Sequence, residues 1–318
     1  MITRNQTYSE SRMLSHKRQN ETIEQTIYHI KEKIRKIGNK THVTVEQQLQ
    51  IVDELASFPL GIFLLQNRGT DGYWTDYMIE HQYKGRITGI DPQGRHLTEF
   101  EKTFLDNFPL AVATQQRAVH FANVIQKHVH EGAVLASFPC GLMRDLLSLD
   151  FTGVEIFRLI GIDIDPKSLD LARKLAEEYG LSSRVEFYKE DAWNQPFQEQ
   201  FTLLTSNGLN VYEPNNDRVI ELYRQFFKAL VPGGVLVTSF ITPPPDIDPN
   251  SEWDMSHIDQ KSVLQQKILY SDILNFNFRG LRSSSTTQSQ LQAAGFDDLE
   301  FIWDDARIFP TVVAHKPE

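Results

Sequence analysis

From Ala133 onward, short apolar runs alternate with helical stretches, and this rhythm constrains the fold more than any other feature of the chain. "AVLAS" (133–137), "FRLIGID" (157–163), "RVEFYKE" (184–190), "FTLLTSN" (201–207) and "GVLVTSFI" (234–241) read as five strands. "DPKSLDLARKLAEEYG" (165–180) reads as a helix with Asp165 as N-cap, Pro166 at its first position and Gly180 as its stop. "NNDRVIELYRQFFKAL" is a second helix, ended by Val231-Pro232-Gly233-Gly234. Strands separated by helices pair through right-handed crossovers, so a parallel sheet follows. Pro243-Pro244-Pro245 breaks the rhythm, and residues 246–285 read as an insertion. A helix ending in "LQAAGF" leads to two last strands, near Leu299–Trp303 and Ile308–Ala314, joined by so short a link that they should pair antiparallel.

The first 130 residues have a different texture. Residues 1–20 are polar and aperiodic and read as a mobile tail. Ile23, Ile27, Ile30, Ile34 and Ile37 then mark one helix face, with Gly38-Asn39 as a stop. This basic amphipathic helix could dock on a membrane or partner, or pack on its own domain or a dimer mate. A further helix is expected from Val45 to Leu65, and helical pattern again from Leu97 to Val129, broken near Pro109. Between them, Arg68-Gly69 and Asp71-Gly72 are turn signals that set Tyr73 and Trp74 at a helix start, either to line a pocket or to wedge the lobe onto the core. The division expected is a tail (1–20), a helical lobe covering the active site (21–130) and a ligand-binding domain (131–318).

Charge narrows the partners. Residues 1–40 hold nine Lys and Arg against four acids, a surplus of +5 within an overall −10, so the remainder carries −15. Such a body repels a phosphate backbone, which makes nucleic acid a poor partner. The single cysteine, Cys140, excludes an intrachain disulfide and a cysteine-built zinc site. No apolar run is long enough to span a bilayer and no secretory leader is evident, so a cytoplasmic protein is expected.

In open α/β sheets ligands lie beyond the carboxyl ends of the strands. The first strand ends in "SFPCG", Ser137 to Gly141, and the second in Asp163. An acid at that interval accepts bonds from ribose hydroxyls in dinucleotide folds. Asp165 is better placed as the cap, which leaves Asp163 free for a ligand. A pyrophosphate needs several glycines near it, whereas this loop has one, with Phe138 and Pro139 beside it. No G-x-x-x-x-G-K-[ST] loop is present either. A nucleoside that lacks phosphates and carries a small charged tail escapes both objections.

In order and spacing, "VLASFPCG", "GIDIDPKSLDLAR", "VEFYKEDAW", "FTLLTSNGL" and "ALVPGGVLVTSF" resemble a class I S-adenosylmethionine-dependent methyltransferase, as does the ending "LQAAGF…FIWDDARIFPTVVAHKP". The resemblance covers roughly residues 131–317. It implies a Rossmann-like, seven-stranded, mostly parallel sheet with an antiparallel last strand. It implies S-adenosylmethionine as cofactor and S-adenosylhomocysteine as product. By it Asp163, with Ile164 beside it, binds the ribose. Asp191 meets the adenine amino group and Ala192 lies beside the ring. Ser137, Phe138, Pro139, Cys140 and Gly141, with Asn207, Gly208 and Leu209, hold the methionine tail. The family commonly has an acid near the end of the first strand; Ala136-Ser137 stand there, so Asp145 or Asn207 would have to supply it. Arg144 reaches either the methionine carboxylate or a neighbouring acid.

Methyl transfer from a sulfonium needs mainly alignment of acceptor and methyl. Tyr212 and His257 are the candidate bases, each equally open to a structural or pocket-lining role. Tyr73, Trp74, Asn210 and Tyr212, with Trp253 and Phe276 available, would surround a small, partly apolar acceptor. No His and acid cluster has metal-ligand spacing, so no metal is expected. Two other readings remain: a catalytically silent cofactor-binding regulatory or scaffold protein, and an NAD-type oxidoreductase, which the loop disfavours. A homodimer is compatible with the sequence.

Overall fold

A computed structural model describes residues 21–276 and 278–318; the tail expected over 1–20 lies outside the described residues. Among them, seven helices precede the sheet: α1 Ile23–Ile37, α2 Val45–Leu55, α3 Pro59–Asn67, α4 Gly72–Glu80, the short α5 Arg86–Thr88, α6 Glu99–Asn107 and α7 Pro109–Gln126. Thr22 opens α1 as a capping box with Gln25, and the Gly38 N–H closes it on the Ile34 carbonyl. Ile30 and Ile34 are buried in the chain's own helical core and Ile23 and Ile27 pack against it. The apolar face of α1 is thus used within the chain except at its end, where Ile37 is exposed.

The single helix expected from Val45 to Leu65 is two, bent by 117°. Phe58 is extended (φ −143°) and Pro59 starts α3. Proline lacks the N–H that a continuing helix needs and pushes the preceding residue out of the helical region. The corner is tight: a Cβ on Gly61 would stand 2.1 Å from the Leu55 carbonyl oxygen.

The strands are β1 Ala133–Ser137, β2 Phe157–Asp163, β3 Val185–Lys189, β4 Phe201–Ser206, β5 Leu230–Ser239, β6 Asp297–Ile302 and β7 Thr311–His315. The helices among them are α8 Arg144–Leu147, α9 Pro166–Glu178, α10 Asn216–Ala229, α11 Gln260–Lys267 and α12 Ser284–Ala294. The sheet order is β3-β2-β1-β4-β5-β7-β6. The pairs among β1–β5 are parallel, and β7 runs antiparallel to both neighbours. This is the seven-stranded, mostly parallel sheet that the resemblance implied. Val231-Pro232-Gly233-Gly234 does not separate helix from strand as expected. It lies inside β5 as an irregularity, between the pairs Phe201–Leu230 and Leu203–Val235.

Each face of the sheet is covered. Val219, Leu222, Tyr223 and Phe226 of α10 and Leu291 of α12 fill one side. Phe121 and Ile125 of α7, Leu146 and Leu147 of α8, and Leu169 and Ala172 of α9 fill the other. The segment 246–285 joins the helical core through Ile268, Leu269, Ile273 and Leu274. Lys40 and His42 both reach Asp272 there, at 2.6 and 2.7 Å.

Candidate active site

The loop after β1 is held mainly by backbone hydrogen bonds. The Phe138 N–H donates to the Thr205 carbonyl and the Cys140 N–H to the Ile162 carbonyl, both at 2.8 Å. These bonds stretch the loop between β4 and β2, the strands flanking β1. Gly141 turns it with φ 50°, and its N–H donates to Asp163 Oδ2 at 3.0 Å. The other oxygen of Asp163 accepts the Asp165 N–H at 2.9 Å. Asp163 therefore has a structural task that its spacing did not reveal: it staples the loop to the start of α9. Asp165 is the cap, accepting from the Lys167 N–H and the Ser168 hydroxyl.

Asp163 is buried, and burial pushes its carboxyl up to about 6 although the backbone N–H groups pull it down. The sign follows from linkage. In the unfolded chain the group titrates near 3.8, so its contribution to stability is complete below that pH and is lost as pH rises through about 6. The span is ~3 kcal/mol at the usual conversion per pH unit. Urea unfolding of the ligand-free protein should show stability falling between pH 4 and 6.5, with a smaller fall in Asp163→Asn. Equal slopes in both proteins would disprove the assignment.

Beneath the loop lies Asp145 of α8. Its Oδ2 accepts from the Ser137 hydroxyl at 3.0 Å and the Thr205 hydroxyl at 2.6 Å. Burial raises its carboxyl above the ordinary value. Burial likewise pushes the Cys140 thiol well up, which removes it as a thiolate nucleophile.

A cavity of about 560 Å³ opens over these strand ends. Of the residues singled out in the sequence, Ser137, Pro139, Cys140, Gly141, Arg144, Asp163, Ile164, Asn207, Gly208, Leu209 and Tyr212 line it. The opposite wall is α4 and α7. Asp71 caps α4, accepting the Trp74 N–H at 3.0 Å, and sets Gly72 directly against the loop. A Cβ on Gly72 would stand 2.8 Å from Gly141 Cα, so two backbones meet where no side chain fits.

Other side chains singled out in the sequence have partners of their own within the chain. Arg144 grips Asp76 through Nε and Nη2, and Nη1 lies 3.1 Å from Glu80 Oε1. Of the two partners the sequence left open, the structure shows the acids of α4. Phe138 points into the core against Phe226. Asp191 accepts the Trp193 N–H at 2.9 Å and Ala192 is buried in the core beyond β3; neither lines the cavity. Asn210 is buried, donating to Tyr223 Oη and the Ser239 carbonyl, so its amide holds the loop after β4. Trp74 packs among Phe63, Tyr73 and Tyr77, and Tyr73 accepts from Gln93, so this pair wedges α4 onto the lobe. Trp253 donates to the Thr242 carbonyl and stands apart from the cavity, whereas Phe276 lines it. His257 is more than half exposed beside Asp254, away from the cavity.

Tyr212 reaches the cavity in a form unsuited to a base. Burial pushes its phenol up to about 12 despite Thr70 and Arg117 nearby. At neutral pH it is a hydrogen-bond donor. Among the described residues no histidine or lysine lines the cavity, and no group of three or more His, Cys, Asp or Glu is placed to hold a metal ion. The sequence reading missed Arg117 of α7, which is buried and lines the cavity. Its signal was an arginine in register with Leu110, Ala113, Thr114, Phe121 and Val124, the buried face of an otherwise apolar helix.

No single helix among the described residues is long and apolar enough to cross a membrane. Residues 139–234 match a family described as a methyltransferase domain. A sterol 24-C-methyltransferase of Pneumocystis carinii is 23% identical over 205 residues, 64% of this chain and 48% of its own. An erythromycin 3''-O-methyltransferase of Saccharopolyspora erythraea is 31% identical over 146 residues, 45% of this chain and 44% of its own. The chain thus spans about half the length of these curated relatives. A solved structure described as a possible exported protein from Bordetella parapertussis is 40% identical, covers 93% of this chain and 96% of its own, and superposes with a TM-score of 0.86. Residues 139–234 thus match a methyltransferase domain, and the seven-stranded sheet order agrees with the class I S-adenosylmethionine-dependent methyltransferase fold that the sequence resembles.

Proposed function

We propose that this chain transfers a methyl group from S-adenosylmethionine to a small, partly apolar molecule by in-line displacement. One observation carries the reading: a single cavity joins a ribose-type acid, Asp163, and a one-glycine loop to a wall of aromatic side chains that includes Tyr212 and Phe278. The residues suit the cofactor. Asp163 is a buried carboxylate pushed up to about 6 that lacks a cationic partner among the described residues, as expected of a site awaiting hydroxyl donors. Asp145, raised by burial below the loop, is the acceptor suited to an ammonium group. Asp191, two residues past the end of β3, remains the candidate for the adenine edge.

Bound S-adenosylmethionine supplies an electrophilic methyl on a sulfonium. The chain's own part is then to bind, orient and exclude water. Asn207, Gly208 and Leu209 border the cavity at the end of β4, between the loop and Tyr212. The Tyr212 phenol, kept protonated, donates to an acceptor oxygen or nitrogen and orients it. No histidine or lysine among the described residues lines the cavity and its carboxylates are held by other groups, which favours an acceptor atom already nucleophilic at neutral pH. Residues 21–130 act as the lobe that covers the site and 131–318 as the cofactor domain, with 246–285 closing the side. Thr75, Asp76 and Ile79 of α4 facing the strand ends support that division.

Calorimetric titration is the direct test. S-Adenosylmethionine and S-adenosylhomocysteine should bind, and NAD should not. With labelled S-adenosylmethionine and a cell extract, label should pass to the low-molecular-mass fraction. Absence of binding to both sulfur nucleosides would refute the reading; label only in protein or nucleic acid would refute the acceptor class.

A further inference from the structure

Arg117 presents a charge with no ion pair. The side chain is 2% exposed, and its only hydrogen bond among the described residues runs from Nη1 to Ser239 Oγ at 3.4 Å. Nε has no partner, and among the described residues no carboxylate is ion-paired with the guanidinium. The two acids that act on it most are engaged elsewhere. Asp145 holds Ser137 and Thr205, and Asp304 accepts the Ile308 and Phe309 N–H groups at 3.0 and 2.7 Å. Burial pushes the guanidinium down to about 9, which leaves it charged at neutral pH. The Phe309 ring, with its centroid 4.2 Å from the guanidinium carbon, offsets part of the lost hydration. An ion kept this deep without a partner is costly, and such a cost is characteristic of a site that completes itself with a ligand.

Its position separates it from the ribose acid. Asp163 closes β2 and Ser239 closes β5, three strands apart in the order β2-β1-β4-β5 and so about 14 Å across the sheet. Ser239 links Arg117 to Asn207 Oδ1 at 3.3 Å, where the loop after β4 meets the cavity. Tyr212, Phe278 and Phe309 line the cavity too.

We propose that Arg117 anchors a carboxylate on the methyl acceptor, so that the substrate class is a small aromatic or apolar carboxylate with its ring against Tyr212, Phe278 and Phe309. This rests on the methyltransferase reading above. Nη1 makes only the long bond to Ser239 and Nη2 makes none among the described residues, and these two donors can take both oxygens of a carboxylate end-on. A lysine could not reproduce that fork.

The test uses the full chain saturated with S-adenosylhomocysteine and titrated with phenylacetate or its neutral isostere phenylacetamide. The wild type should prefer phenylacetate by about tenfold or more, the usual scale for a charge-assisted hydrogen bond. Arg117→Met should erase the preference while S-adenosylhomocysteine affinity stays within about twofold. Arg117→Lys should retain part of it. Removal of an unpaired buried ion should leave Arg117→Met melting at or above the wild-type temperature, so loss of folding is not the anticipated complication. Equal affinity of the wild type for the two probes would overturn the proposal. So would an Arg117→Met variant that binds S-adenosylhomocysteine poorly yet 5′-methylthioadenosine normally, because Arg117 would then serve the cofactor's own carboxylate. A wild type that distinguishes the probes but fails to bind S-adenosylhomocysteine would sustain the carboxylate site and refute the methyltransferase reading instead.

Discussion

Asp163→Asn is expected to bind S-adenosylhomocysteine at least about 100-fold more weakly than the wild type at pH 7.5. Two losses combine. In the wild type both carboxylate oxygens accept backbone N–H groups, from Gly141 at 3.0 Å and Asp165 at 2.9 Å. A carboxamide can satisfy only one, because its NH₂ confronts the other as donor against donor. An unsatisfied buried N–H costs about 1–3 kcal/mol, and the loop shifts to relieve it. The ribose hydroxyls also lose a charged acceptor, at about 1.5–3 kcal/mol for a bond of that kind. Ser137→Ala, by contrast, removes one hydroxyl bond and should cost about 1 kcal/mol. The ligand separates the two losses. A 2′,3′-dideoxy analogue lacks the hydroxyls and should show only the smaller, loop-derived difference between wild type and variant. If Asp163→Asn binds S-adenosylhomocysteine within threefold of the wild type, the residue is a staple for the loop and the ribose assignment is wrong.

The sheet was legible because its evidence is local. Each strand from β1 to β5 is a short apolar run bounded by a turn or a cap, and β2 begins and ends where its run does, at Phe157 and Asp163. The Phe58-Pro59 break is equally local, yet the apolar pattern continues across it and periodicity alone does not register a missing N–H. The site was legible only in part. Its strand-end residues follow from topology, so most of the loop and the end of β4 were placed on the cavity wall. Side-chain partners do not follow. Arg144 meets Asp76, 68 residues earlier, and Tyr73 and Trp74 turn to Gln93 and Phe63. Such pairings depend on how the helical lobe docks, which no motif within either segment encodes. Arg117 lay between these cases: its register on α7 signalled burial, but only the surrounding acids show it to be without an ion pair.

Loss of Arg144 should loosen that docking. Its guanidinium grips Asp76 side-on and reaches Glu80, tying α8 beneath the cofactor loop to α4 across the cavity. The Arg144 and Asp76 side chains are 21% and 13% exposed. The pair therefore falls between exposed pairs, worth about 0–1 kcal/mol, and buried ones whose rupture costs about 3–5 kcal/mol. Arg144→Ala should destabilise the protein by about 2–3 kcal/mol on that scale, since it leaves Asp76 shielded from water and unpaired. The double variant Arg144→Ala/Asp76→Asn should recover part of the loss, giving a coupling of about 1–2 kcal/mol in a mutant cycle. Additive losses would mean the pair is not coupled. The ligand test decides what the arginine does. If Arg144 only seats α4 against the loop where Gly72 meets Gly141, its loss should weaken S-adenosylhomocysteine and 5′-methylthioadenosine by the same factor, because the whole wall is displaced. If it held the methionine carboxylate, only the ligand with that carboxylate would suffer. The two acids already on its guanidinium predict the first outcome.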